Sequence, residues 1–250
     1  MLATTRHDSI LEIRLDRPPV NALDPELVSA LRNAFVQAPA EGARAIVLSG
    51  RTGLFSGGLD VPALLQLDRA GMTLFWQSFI GLLAAIGRCP VPVVAAITGH
   101  SPAGGAVLSL YCDYRVMARG NYRIGLNEVQ VGLAVPETIQ YALKRLVGPH
   151  RAERLMVAGA MLESEEALKV GFVDELADVD FVVARALEWC RAHLALPHEA
   201  LSETRRMARR DLHEELYRAE KTAVDPFLDR WFSDESQSVL RALVAKLKTK

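Results

Sequence analysis

The stretch Pro92 to Asp113, PVVAAITGHSPAGGAVLSLYCD, constrains the fold more than any other part of the chain. Val93 to Thr98 is a short apolar run rich in β-branched residues and opened by a proline, the pattern of a buried strand. Gly99 breaks it and His100-Ser101-Pro102 turns the chain. Ala103-Gly104-Gly105 then opens a second apolar run, Ala106 to Cys112, with Val107, Leu110 and Tyr111 at helical spacing. Strand, glycine turn, helix is the order this predicts. Such a turn leaves N–H groups of the first helical turn without partners, free to bind an oxygen carrying negative charge. Glycine also lets a ligand approach those amides with no Cβ in the way.

The flanking sequence predicts an α/β fold. Ile10 to Leu15 alternates as a half-buried strand, and Asp24-Pro25-Glu26 is a capped helix start for a helix running to about Ala38. Ala43 to Ser49 reads as a strand, Gly50 to Gly58 as a glycine-rich loop, and Asp60 to Leu67 and Met72 to Arg88 as helices. Past the central stretch, Asp113 to Ala118 reads as a strand and Tyr122 to Glu128 as a short extended segment. Helices follow over Pro136–Val147, His150–Ala158 and Ser164–Val170, then a last strand at Val173–Leu176 and an almost wholly helical tail from Asp180. Alternating strands and helices in the first 120 residues predict a mostly parallel sheet wound with helices. The tail from about Ala200 is too polar for a core of its own, so it packs on its own domain or on another subunit.

Composition narrows the function classes. A net charge of −1 gives no basic field for nucleic acid or an anionic membrane surface. Arg205, Arg206, Arg209 and Arg210 sit among acids on a helix and read as a solvated face. Three widely spaced cysteines and six scattered histidines form neither a disulfide framework nor a metal motif. No secretory signal or membrane span is visible, so a cytoplasmic protein is expected.

Ser56-Gly57-Gly58-Leu59-Asp60 is a second glycine turn between a strand and a helix. If the two strands lie side by side, both turns meet at one sheet edge, and one amide from each makes a two-donor oxyanion hole. Residue types alone leave open the plainer possibility that these glycines only serve tight turns. Gly99-His100-Ser101-Pro102-Ala103 also looks like a serine nucleophile elbow, but Pro102 has no N–H to give the oxyanion, which argues against a hydrolase. Glu128 alone reads as a solvated turn residue. Its apolar neighbours Ile124, Leu126, Val129, Val131 and Leu133 would instead raise its pKa and suit it to act as a base.

Taken in order, Arg17-Pro18 with Asn21-Ala22-Leu23, Phe55 to Asp60, and Ala103-Gly104-Gly105 with Cys112-Asp113 resemble the signatures of the crotonase superfamily (enoyl-CoA hydratase/isomerase). The resemblance implies a crotonase spiral fold of repeated ββα units over residues 1–195. A helical C-terminal region, 196–250, would build homotrimers or dimers of trimers. It also implies an acyl-CoA thioester substrate and no separate cofactor or metal. The amides of Leu59 and Gly104 would hold the thioester oxygen. Asn21, Ala22, Leu23, Ser56, Gly57, Gly58, Asp60 and Gly105 would lie along the substrate and its coenzyme A moiety, and Leu64 to Trp76 would line the acyl pocket. Phe75, Trp76 and Phe79 form an aromatic stripe that fits either that pocket or the core.

Hydratases of the family carry two glutamates. The second falls on Glu128, but the first falls on Val107. That departure, with Ser101 to Gly105, Cys112 to Arg115 and Ile124 to Glu128 followed by Gln130 and Gly132, is similar to the mitochondrial-type Δ3,Δ2-enoyl-CoA isomerase subgroup. It implies that Glu128 moves one proton from C2 to C4 of a 3-enoyl-CoA, in the β-oxidation of unsaturated fatty acids. A hydratase or another crotonase activity, and a catalytically silent coenzyme A-binding trimer, remain the alternatives.

Overall fold

The computed structural model describes residues 1–248. It opens on a hairpin that the side-chain pattern does not announce: β1 (Leu2–His7) pairs antiparallel with β2 (Ile10–Leu15). Thr4, Thr5 and Arg6 are exposed on this edge strand, so it lacks the apolar alternation that identifies β2. α1 (Pro25–Ala40) starts as its sequence predicts, with the Asp24 carboxylate accepting the Leu27 N–H at 2.8 Å and Pro25 at the first helical position.

Two-strand-then-helix units follow. The first is β3 (Ala45–Ser49), β4 (Gly53–Leu54), the short α2 (Val61–Leu64) and α3 (Arg69–Gly87). The second is β5 (Val93–Ile97), β6 (Gly99–Pro102) and α4 (Gly104–Leu110). The third is β7 (Tyr114–Ala118), β8 (Arg123–Gly125), a 3-10 turn over Glu128–Val131, and α5 (Glu137–Val147). α6 (Pro149–Ala158), β9 (Leu162–Glu163), α7 (Ser164–Val170) and β10 (Glu175–Ala177) complete the sheets. The first strand of each unit joins a six-stranded sheet, ordered β1-β2-β3-β5-β7-β10. The second joins a four-stranded sheet, ordered β4-β6-β8-β9.

β3 and β5 lie side by side and parallel, Ile46 opposite Val93 through Ser49 opposite Ala96, and every residue of both is buried. Three short strands depart from the expectation. β4 lies inside the stretch read as a loop, β6 replaces the turn at His100-Ser101-Pro102, and β9 stands where no strand was expected. Their pairing is made by backbone groups over two to four residues, too few for side-chain alternation to show. At Gly99 the strands cross so closely that a Cβ would lie 1.9 Å from the Gly53 carbonyl carbon. The last strand falls at Glu175–Ala177, two residues later than expected.

α3 is long and apolar enough to cross a membrane by length and composition, but here it is a core helix with ten buried residues, packed against α1. α8 (Val182–Leu194) covers the other face of the main sheet. The chain then runs through α9 (His198–Ala208), α10 (Arg210–Thr222), α11 (Val224–Trp231) and α12 (Asp234–Lys248). Leu212, Leu216, Phe227 and Trp231 from α10 and α11 are buried, and both helices contact α3. At about 1.5–3 kcal/mol for each such side chain, this packing makes the tail part of the main core.

The arginine cluster is not one solvated face. Arg205 holds both Asp113 oxygens, at 2.7 and 2.8 Å, and Arg209 reaches Asp113 Oδ1 at 2.9 Å. Asp113 also accepts the Val93 N–H at 2.8 Å, so one carboxylate ties α9 and its junction with α10 to the start of β5. Residues 205 and 209 are four apart and share the inner helix face. Arg206 points outward and pairs with Glu203. The composition of the segment does not show this, because the partner of the inner pair lies 92 residues away.

Candidate active site

Two glycine turns meet at the four-stranded sheet, and backbone register brings them together. β4 and β6 run parallel with Gly53 opposite Gly99. Gly58 and Gly104 each follow their paired residue by the same number of positions, so the register sets one beside the other. A Cβ at Gly58, whose φ is +88°, would stand 3.2 Å from the Pro102 oxygen and 3.3 Å from the Gly104 nitrogen. Only glycine allows both that backbone angle and that approach.

The orientation of the Leu59 amide follows from its neighbours. Leu23 donates to Gly58 O at 2.8 Å and accepts from the Asp60 N–H at 3.0 Å, a parallel bridge centred on Leu59. In such a bridge the central residue's own N–H points away from its partner strand. The Gly104 amide opens α4, where no intrahelical acceptor exists. Neither N–H donates to any acceptor among the described residues. Ala103, just before Gly104, holds φ 45° and ψ −116°, a strained setting for a residue with a side chain that here re-aims the chain into α4.

Both residues, Leu59 and Gly104, line a cavity of about 560 Å³. Of the sequence-predicted site residues, Leu59, Gly104, Glu128, Ala22, Gly57 and Asp60 line it. Asn21, Leu23, Ser56, Gly58 and Gly105 stand behind the wall and shape the turns. Asn21, fully buried, accepts the Arg17 N–H at 2.8 Å and donates to Phe55 O at 3.0 Å. The Ser56 hydroxyl donates to Asn21 O at 2.8 Å and accepts the Gly58 N–H at 3.2 Å. The Gly105 backbone packs against Ser56 and Ser101.

Glu128 enters at the head of the 3-10 turn after β8. It is 8 % exposed, and its Oε2 has no hydrogen-bond partner. Burial away from water disfavours the charged form and raises its pKa from the ordinary 4.5 to about 7. The turn is fastened from outside by α12, where the Ser236 hydroxyl donates to Gly132 O at 2.6 Å. Asp60 is the other carboxylate lining the cavity, and both its oxygens are engaged. One accepts the Ala63 N–H at 3.1 Å, and the other pairs with the Arg17 guanidinium at 2.8 Å. Val107, buried on α4, lines the same cavity.

The apolar end of the cavity is only partly where the sequence places it. Of Leu64 to Trp76 only Trp76 reaches the wall, joined by Phe79, while Phe75 is buried elsewhere in the core. Phe227 of α11 and Leu243 of α12 complete that end, and the sequence reading missed both. Nothing in the local pattern of the tail distinguishes a wall residue from a core one. Asn127, beside the glutamate, also lines the cavity, with its Oδ1 buried and unpartnered. Among the described residues no group of three or more His, Cys, Asp or Glu is placed to hold a metal ion.

Comparison with known proteins shows the family and the fold. The profile of the family described as enoyl-CoA hydratase/isomerase matches residues 5–250. The mouse mitochondrial enoyl-CoA delta isomerase 1 is 32 % identical over 241 residues, covering 95 % of this chain and 83 % of that protein. A probable enoyl-CoA hydratase of Mycolicibacterium paratuberculosis is 32 % identical over 225 residues, covering 88 % of this chain and 85 % of that protein. The crystal structure of human mitochondrial Δ3-Δ2-enoyl-CoA isomerase superposes with a TM-score of 0.94 at 29 % identity, covering 99 % of this chain and 98 % of that one.

Proposed function

The chain belongs to the enoyl-CoA hydratase/isomerase family, of crotonase fold, and from that premise we propose that it is a Δ3,Δ2-enoyl-CoA isomerase using Glu128 as its one base. The observation that carries this reading is the count of free carboxylates. Asp60 is fully engaged, Val107 is apolar, and among the described residues lining the cavity Glu128 is the one carboxylate with an unpartnered oxygen. Adding water across a double bond requires a held water and a delivered proton. Moving a double bond requires only one proton taken and returned.

In the proposed cycle Glu128 removes a proton from C2 of a 3-enoyl-CoA. The electron pair delocalises into a dienolate whose charge rests on the thioester oxygen, between the Leu59 and Gly104 amides. Glu128 then returns the proton at C4. Each preformed donor contributes about 3 kcal/mol of barrier lowering, so the backbone matters as much as the base. A pKa of about 7 leaves the carboxylate available near neutrality and its conjugate acid strong enough to give the proton back. The same reading takes the acting unit as a homotrimer or a dimer of trimers.

Hydration is the second reading, favoured by Asn127, whose unpartnered Oδ1 can accept a hydrogen bond from a water in the cavity. One assay run in two directions on the wild type and Glu128→Gln separates them. Isomerisation of 3-enoyl-CoA that collapses in the variant, with little hydration of 2-enoyl-CoA, is the expected result. Brisk hydration by the wild type would overturn the single-base assignment.

A further inference from the structure

A second cavity of about 450 Å³ adjoins the first and shares with it the walls Leu133, Ala134, Pro136 and Phe227. We propose that this second cavity is a binding site for the far end of a long, straight acyl chain, with Phe227 as the partition that the chain passes. The proposal rests on the acyl-CoA reading above and deepens it: it names long-chain thioesters as the substrate class.

Three observations support it. The first is adjacency, since four residues, Phe227 among them, belong to the wall of both cavities. The second is the chemistry of the lining. Val135, Ala219, Ala223 and Pro226 give the second cavity an apolar interior, while its charged groups are already matched within the chain. Arg218 pairs with Glu215 at 2.8 Å and Glu137 at 3.1 Å, and Arg230 pairs with Glu235 at 2.6 Å. A cavity whose charges are satisfied offers a ligand mainly hydrophobic burial. The third is the build of the partition. The Phe227 ring lies flat on Trp76, with centroids 3.5 Å apart and planes 4° apart. The Trp76 indole N–H donates to Ala223 O at 3.0 Å, which fixes the tryptophan to α11. The tryptophan is therefore held, whereas Phe227, in the wall that the two cavities share, is held by packing alone.

Isothermal titration calorimetry with saturated straight-chain acyl-CoAs, from butanoyl to tetradecanoyl, tests the proposal without any turnover. The wild type is expected to bind more tightly by up to about fourfold per added methylene, with the gain continuing into the longest chains. Thr222→Trp fills the second cavity from its rim: Thr222 is an exposed residue whose hydroxyl bonds only to Arg218 O. This variant is expected to lose the gain for long chains and keep the butanoyl-CoA affinity, while Thr222→Ala keeps both. Affinity that levels off at middle lengths in the wild type, or a long-chain gain that survives Thr222→Trp, would overturn the proposal and leave the isomerase reading standing. Failure of every acyl-CoA to bind would overturn both.

Discussion

Glu128 should destabilise the protein it serves, and the sign of that effect with pH is a sharp test of the site. Its carboxyl titrates at about 7 in the folded chain, against an ordinary 4.5, because burial disfavours the charge. Below pH 4.5 the acid is protonated in both folded and unfolded chains and contributes no difference. As pH rises from there the unfolded chain releases its proton while the folded chain keeps it, so stability falls. Above about pH 7 the loss is complete. At about 1.4 kcal/mol per pH unit the shift corresponds to about 3 kcal/mol. Glu128→Gln keeps the shape of the neutral acid and cannot ionise. Urea unfolding at fixed protein concentration should find the two proteins close in stability near pH 4, and the variant more stable by about 3 kcal/mol near pH 8.5. Any constant effect of the amide cancels between the two pH values. A gap that does not change with pH would refute the buried, unpartnered carboxylate, and with it the base.

Three further outcomes are expected. Gly58→Ala would force a Cβ between the two turns, at 3.2 Å from Pro102 O and at a φ of +88°, and steady-state kinetics should show kcat down by about 100-fold with a cooperative melt retained. Val107→Glu places a second acid in the cavity, and hydration of 2-enoyl-CoA should appear; no hydration would mean that the missing acid is not what separates the two chemistries. Asp113→Asn leaves Arg205 and Arg209 without their counter-charge, and denaturant unfolding should show a loss of about 3–5 kcal/mol. Burial opposes ionisation of Asp113, but Arg209 and Arg205 hold its pKa below the ordinary 3.8. Its stabilisation is therefore present above that value and is lost as pH falls through the lowered pKa, and acid titration of the wild type should show this loss where the variant shows none.

The parts of the fold legible in the sequence are those written in side chains. β3 and β5 are apolar throughout because both faces are buried, and Asp24 before Pro25 marks the start of α1. The burial of Glu128 was suggested by its apolar sequence neighbours, of which Ile124, Leu126 and Leu133 are buried with it and Val129 is exposed, while its proposed role came through the resemblance. The inner arginines were not legible, since Asp113 lies far off in sequence, and neither were Phe227 and Leu243, which only the folded tail brings to the cavity.

The least legible elements are also the ones that set the site. The proposed oxyanion donors are main-chain N–H groups, so no side chain advertises them, and the glycines around them show only that the chain turns. What places one turn against the other is the pairing of β4 with β6, four residues or fewer in each strand. Those strands are built from Gly53, Leu54, Gly99, His100, Ser101 and Pro102, residues that carry almost no strand signal. Shifting this pair by one position would move Gly58 about 3.3 Å along the strand direction relative to Gly104, more than the tolerance of two hydrogen bonds to one oxygen. The close contact at Gly99, where a Cβ would lie 1.9 Å from Gly53, prevents that slip for any residue but glycine. In the proposed site Gly99 therefore matters without lining the cavity, because it fixes the register on which the distance between the two amides depends.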